Sequence, residues 1–165
     1  MDREKERLER IFPDYFERYH LPPEGAREEV IQVYRACRTN KLEKESFLPT
    51  YEERGCIFFD ETEKEDPGTF SLSTFEKARD VKHFAAMNSE FHPPYRIAIG
   101  KTMPVHGVVQ RSKERDGVKY KRSSHVDWWL YKNAEPYKEF ELIDDFMAYY
   151  EEMKRTREKE VRENV

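Results

Sequence analysis

Three clusters in this chain combine residue types and spacings suited to chemistry. Arg35, in Val33-Tyr34-Arg35, lies about a dozen residues before Phe47-Leu48-Pro49. An arginine near the end of an inner strand can clamp a phosphate or carboxylate through two parallel N–H bonds. Ser71 and Ser73 lie in Phe70-Ser71-Leu72-Ser73-Thr74, where a strand gives way to a helix. Small hydroxyls there can hydrogen-bond a ligand while the helix start presents free N–H groups. Glu139 and Glu141 belong to Pro136-Tyr137-Lys138-Glu139-Phe140-Glu141. On a strand they share one side, since the side-chain period is two. Paired carboxylates stabilise a developing cation, orient a ribose hydroxyl or act as a general base. Each cluster also has a plain structural reading. Arg35 is one of 30 basic residues, Ser73 with Glu76 fits a capping box, and E-x-E arises easily among 34 acidic residues.

Two further groups stand apart. In His125-Val126-Asp127-Trp128-Trp129, a strand would turn His125, Asp127 and Trp129 to one side. A histidine beside a carboxylate can act as an acid/base pair, and Trp129 can stack an aromatic ring; a structural polar pair fits equally well. From Arg111 to Arg122 six basic residues (Arg111, Lys113, Arg115, Lys119, Lys121, Arg122) face two acidic ones. Beside Tyr120, Trp128, Trp129 and Tyr131 they suit single-stranded nucleic acid or nucleotide phosphates, or simply a charged hairpin tip. His83, His92 and His106 show no ligand spacing, and no metal site is expected. No Gly-rich phosphate loop, H-E-x-x-H or G-x-S-x-G motif occurs.

These residues need a scaffold, and its elements are legible as periodicities. Leu8, Ile11, Phe12, Tyr15, Phe16 and Tyr19 form a helical stripe interrupted at Pro13. Val30–Cys37 reads as a strand with a helix from Pro23 as competitor, Lys41–Ser46 as a short helix, and Cys56–Phe59 as a buried strand. Asp60–Gly68 reads as an exposed turn and Thr69–Leu72 as a strand. Ser73 then caps a helix carrying Phe75, Ala78, Val81, Phe84 and Ala85. Past Pro93-Pro94, strands are expected at Tyr95–Gly100, Val105–Gln110 and Val118–Tyr131, with Asp116-Gly117 as a hairpin turn, and at Phe140–Ile143. A charged helix starting at Asp144 or Asp145 closes the chain. The expected class is α+β: a split pair of small mixed or antiparallel sheets with a central helix. The expected division is an N-terminal helical cap (1–25), a core (26–143) and a C-terminal helix (144–165).

Composition limits what this scaffold can be. The 165 residues fit one domain, with 39% charged and 37% hydrophobic residues and a mean hydropathy of -1.03. Aromatics reach 14%, so rings can build a core that aliphatic content alone would not. A net charge of -4 excludes a basic protein that coats nucleic acid, though not a local basic strip. No apolar run approaches the roughly 20 residues of a membrane span. The start, Met1-Asp2-Arg3-Glu4-Lys5, lacks the apolar stretch of a secretory signal. Cys37 and Cys56 form no disulfide framework, so a reducing, cytoplasmic setting is expected.

Taken in order, the first three clusters resemble the mono-ADP-ribosyltransferases of the cholera and pertussis toxin type. Val33-Tyr34-Arg35-Ala36-Cys37-Arg38 is similar to that family's arginine segment. Phe70-Ser71-Leu72-Ser73 resembles its serine segment, with Leu72 in place of the central threonine, and Pro136–Glu141 resembles its glutamate segment. The resemblance covers residues 30 to 143. It implies NAD bound in a cleft between two small sheets, with Arg35 on the phosphates or ribose and Ser71 and Ser73 bracing the site. Glu141 would then stabilise an oxocarbenium-like transition state, and Glu139 would orient a protein, nucleic-acid or small acceptor. Two rival readings remain: a non-catalytic module that grips protein or nucleic acid through residues 111–131, and a small protein that oligomerises through its end helices.

Overall fold

Short runs buried for most of their length build one curled sheet. The computed structural model describes residues 10–88 and 94–163. Its strands are β1 (Gln32–Cys37), β2 (Leu72–Phe75), β3 (Arg96–Lys101), β4 (Gly107–Arg111), β5 (His125–Leu130) and β6 (Phe140–Leu142). They lie in the order β4-β5-β2-β1-β3-β6, every neighbouring pair antiparallel. The helices are α1 (Tyr15–Arg18), α2 (Thr50–Glu53), α3 (Ala78–Met87), α4 (Ser112–Arg115) and α5 (Phe146–Glu163). The architecture is α+β, as expected from the sequence.

The sheet is two three-stranded halves. β4-β5-β2 and β1-β3-β6 meet through one registered pair, Tyr34 with Phe75. β1 and β3, by contrast, are in register from Gln32↔Lys101 to Cys37↔Arg96. β5 and β6 stand four strands apart, about 19 Å on a flat sheet. Yet the rings of Trp128 and Phe140 stack with centroids 6.0 Å apart. The sheet therefore curls until its two ends share a core, with Val33, Leu72, Ala98, Val126 and Trp128 inside the curl. Gly107 and Gly100 permit the close strand approach: a Cβ on either would lie within 2.5 Å of neighbouring backbone oxygen.

The convex face is covered in two places. α3 and the start of α5 bring Val81, Phe84, Phe146 and Tyr149 onto Tyr34, Phe75 and Ile97. At the other end Phe12, Tyr15, Phe16 and Tyr19 pack with Tyr51, Phe70 and Trp129. The N-terminal segment thus contributes rings to the core. α1 is a single turn whose first carbonyl acceptor is Pro13, so the proline precedes the turn rather than breaking it. Leu8, His92 and Pro93 lie outside the described residues.

Several local expectations are corrected. Ser73 does not cap a helix; it sits inside β2, opposite Asp127, and α3 begins only at Ala78. The ladder with β5 occupies the backbone of residues 72–75, and Glu76 instead pairs with Arg111. Cys56–Phe59 is not a buried strand: Ile57 and Phe59 are 58% and 73% exposed. Among the described residues no strand pairs with them, and an apolar run without a partner gains nothing by extending. The strand expected over Val118–Tyr131 is confined to His125–Leu130. Asp116-Gly117 is not a two-residue hairpin turn, because α4 and a chain of turns separate β4 from β5. Glu139 lies in a 3-10 turn before β6, so strand alternation does not align it with Glu141.

Candidate functional site

Where β1 and β2 part, the backbone loses its ladder partner and Arg35 fills the gap. Its Nη1 donates to the carbonyl oxygen of Ser73 at 3.1 Å and its Nε to that of Ser46 at 3.2 Å. Nη2 stands 3.7 Å from Glu53 on α2. The guanidinium is buried, which lowers its pKa, while Glu53 opposes that shift. A charge held this firmly among backbone oxygens is a fixed anchor.

A cavity of about 500 Å³ opens beside it. Arg38 and Arg54 join Arg35 in its wall, with Glu53 bridging Arg35 and Arg38 (3.2 Å to Arg38). Arg54 pairs with Glu63 and lies 3.9 Å from the centre of the Phe59 ring. Phe84 and Tyr95, 5.6 Å apart, complete the aromatic side. Three guanidinium groups and three rings around one hollow can hold a ligand that carries both anionic oxygens and a planar ring.

Ser73 also faces this cavity, and behind it runs a hydrogen-bonded chain. The Ser73 hydroxyl is 3.0 Å from His125 Nε2. His125 Nδ1 is 2.5 Å from the Ser112 hydroxyl, which donates to Asp127 Oδ2 at 2.6 Å. Asp127 is fully buried and accepts two further bonds, from Ser71 at 2.6 Å and from Arg115 Nη2 at 2.7 Å. Burial alone would raise the Asp127 pKa. The facing His125, Arg115 and the two serine hydroxyls outweigh it and hold the carboxyl below its ordinary 3.8. Burial lowers the His125 pKa below 6.5 despite Asp127, so its imidazole is neutral at pH 7.

The proton positions follow from this. An ionised Asp127 only accepts, so the one Ser112 proton points to it and a Ser112 lone pair faces Nδ1. A neutral His125 must then carry its proton on Nδ1, leaving Nε2 bare toward the Ser73 hydroxyl. This tautomer is inferred from the bonding pattern.

The structure thus brings Arg35 and Ser73 to one cavity and joins Ser71, Ser73, His125 and Asp127 in one network. Trp129 shares their side of β5 but is fully buried, its Nε1 donating to Pro67 O at 3.0 Å. Glu139 and Glu141 lie elsewhere. The register Arg35↔Ala98↔Leu142 puts Arg35 and Leu142 on one face and Glu141 on the other. Both glutamates line a separate open hollow of about 540 Å³ with Lys101 and Lys138. The basic run divides as well. Arg111 pairs with Glu29 and Glu76, and Arg115 with Asp127, while Lys119 lies 5.3 Å over the Tyr120 ring. Lys113, Lys121 and Arg122 line a third hollow of about 580 Å³ with Lys77 and Arg79, and His125 reaches it too.

Sequence reading missed Glu53, Arg54, Phe59 and Ser112. Glu53 and Arg54 look like ordinary surface charges, and nothing local marks Ser112. Among the described residues, no group of His, Cys, Asp and Glu is arranged to hold a metal ion. Nor is any helix among them long and apolar enough to cross a membrane. Comparison with protein-family models, curated proteins and solved structures gives no match for this chain.

Proposed function

We propose that the chain binds a nucleotide-class ligand, NAD foremost, in the cavity where β1 and β2 separate. The observation that carries this reading is the grouping of Arg35, Arg38 and Arg54 with Phe59, Phe84 and Tyr95 around one space of about 500 Å³. Phosphates would meet the guanidinium groups and a base would stack on the rings. Transfer of ADP-ribose from such a ligand needs a carboxylate beside the ribose to stabilise positive charge. In this reading Glu53, which lines the cavity, would take that role, whereas Glu139 and Glu141 line another hollow.

A melting curve with and without NAD tests the reading. Ligand at a hundred times its dissociation constant adds about 2.7 kcal/mol to the native state. Arg54→Ala should weaken NAD more than tenfold, and Lys121→Ala should leave it unchanged. The absence of any shift with NAD or AMP at millimolar concentration would contradict the proposal. A second reading rests on the basic hollow bounded by Lys77, Arg79, Lys113, Lys121 and Arg122, which suits single-stranded nucleic acid. Binding that falls steeply with salt and is lost in Lys121→Ala would favour it.

A further inference from the structure

We infer that Ser73 is a nucleophile and His125 its general base, acting on a phosphoryl ester bound in the Arg35 cavity. The choice of phosphorus as the electrophile rests on the proposed nucleotide-class ligand; the nucleophile itself does not.

The inference stands on the geometry of the chain behind Ser73. Asp127 is satisfied by Ser71, Ser112 and Arg115 without His125, whose Nδ1 is 3.8 Å from the nearer Asp127 oxygen. The imidazole is therefore not needed as a hydrogen-bond partner of the carboxylate. Instead it spans from the Ser112 hydroxyl to the Ser73 hydroxyl, with its bare Nε2 directed at Ser73, which is partly exposed and lines the Arg35 cavity. That orientation is what a nucleophile and its base require. Ser112 and Asp127 are positioning residues that hold the Nδ1-protonated tautomer. The Arg35 bond to the Ser73 carbonyl fixes the nucleophile's backbone at the cavity wall.

The step balances with the groups present. The Ser73 Oγ–P bond forms as the P–O bond to the leaving alkoxide breaks, and that bond's electron pair departs with the oxygen. The Ser73 proton passes to Nε2, giving an imidazolium whose Nδ1–H is held by Ser112, and Nε2 then delivers the proton to the leaving oxygen. Water then attacks the phosphoserine with His125 again as base: its oxygen bonds to phosphorus as P–Oγ breaks, the proton taken by Nε2 passes to Oγ, and Ser73 is restored as the phosphoryl product leaves.

A fluorophosphonate probe tests this directly, since Oγ–P forms, P–F breaks and fluoride leaves without further reactants. Peptide mapping should find one adduct, on Ser73, absent in Ser73→Ala. His125→Gln should slow labelling about a hundredfold or more while the protein remains folded by its melting curve. The His125 base is faced by Asp127 on its own strand, Arg115 on α4, Lys119 on the following turn and Arg35 on β1. The rings of Phe75 and Tyr120 also pack against it. Ser112→Ala removes the acceptor of Nδ1–H and should move the pH profile of labelling to lower pH; this variant carries the test if His125→Gln does not fold. A folded wild type that stays unlabelled at Ser73, or labels at full rate in His125→Gln, overturns the inference. Labelling of Ser73 by a protein that NAD does not stabilise would keep the nucleophile and remove the nucleotide reading and the phosphoryl class together.

Discussion

Replacing Asp127 with alanine should cost about 3–5 kcal/mol of folding stability, the scale for breaking a buried charge network by deleting one partner. Asp127 has no exposed surface and accepts from Ser71, Ser112 and Arg115. Its loss leaves Ser71 only the Gly68 carbonyl oxygen at 3.0 Å, Ser112 only the His125 ring, and Arg115 only Gln110 as a neutral partner at 2.9 Å. Urea unfolding at pH 7 should show a lowered midpoint with an unchanged slope. The penalty also depends on pH. The folded pKa of Asp127 lies below 3.8, so the carboxylate's contribution is complete above that value. It is lost as pH falls through the folded pKa, and the gap between wild type and Asp127→Ala should narrow there. His125 acts in a higher window: its folded pKa lies below 6.5, so acidification from 6.5 toward the folded value favours the unfolded state in wild type.

Trp128→Ala should be equally severe, about 3–5 kcal/mol, because it empties the space where the two ends of the curled sheet meet. The indole is fully buried and stacks on Phe140. Among the described residues its Nε1–H finds no hydrogen-bond partner, so its contribution is one of volume. Trp128→Phe should therefore recover most of the loss. Trp129→Phe differs in kind, since it deletes the bond to Pro67 O, worth about 1 kcal/mol beyond the change in volume. Guanidinium denaturation of the three variants, with melting temperatures as a check, orders these costs.

The sequence carried the scaffold further than the site. The β-rich run Val30–Cys37 and the alternation through Tyr95–Gly100 gave β1 and β3 almost to their ends, although β1 is buried on both faces from Val33 to Cys37 and shows no period of two in its burial. Ser73 and Glu76 have the spacing of a capping box, and that local preference lost to a ladder with β5, fifty residues away in sequence. The run Cys56–Phe59 is apolar enough for a core strand but has no strand to pair with among the described residues. Within β5, the period of two placed His125 beside Asp127, because that relation is local. Ser112, which links the two, lies on a separate helical turn. Parity within a strand also cannot say which face one strand shares with another. Arg35 and Glu141 look compatible until the register through Ala98 and Leu142 assigns them to opposite faces. Glu53 takes the place beside Arg35 because α2 folds back over the end of β1, a tertiary relation that no spacing encodes.

The nucleotide reading is tested most directly by photolabelling with an azido-adenine analogue of NAD, followed by peptide mapping. Adducts should concentrate on peptides carrying Phe59, Phe84 and Tyr95, compete away with unmodified NAD, and vanish in Arg54→Ala. Adducts confined to peptides from residues 111–131 or 139–141, or labelling that excess NAD does not reduce, would contradict it.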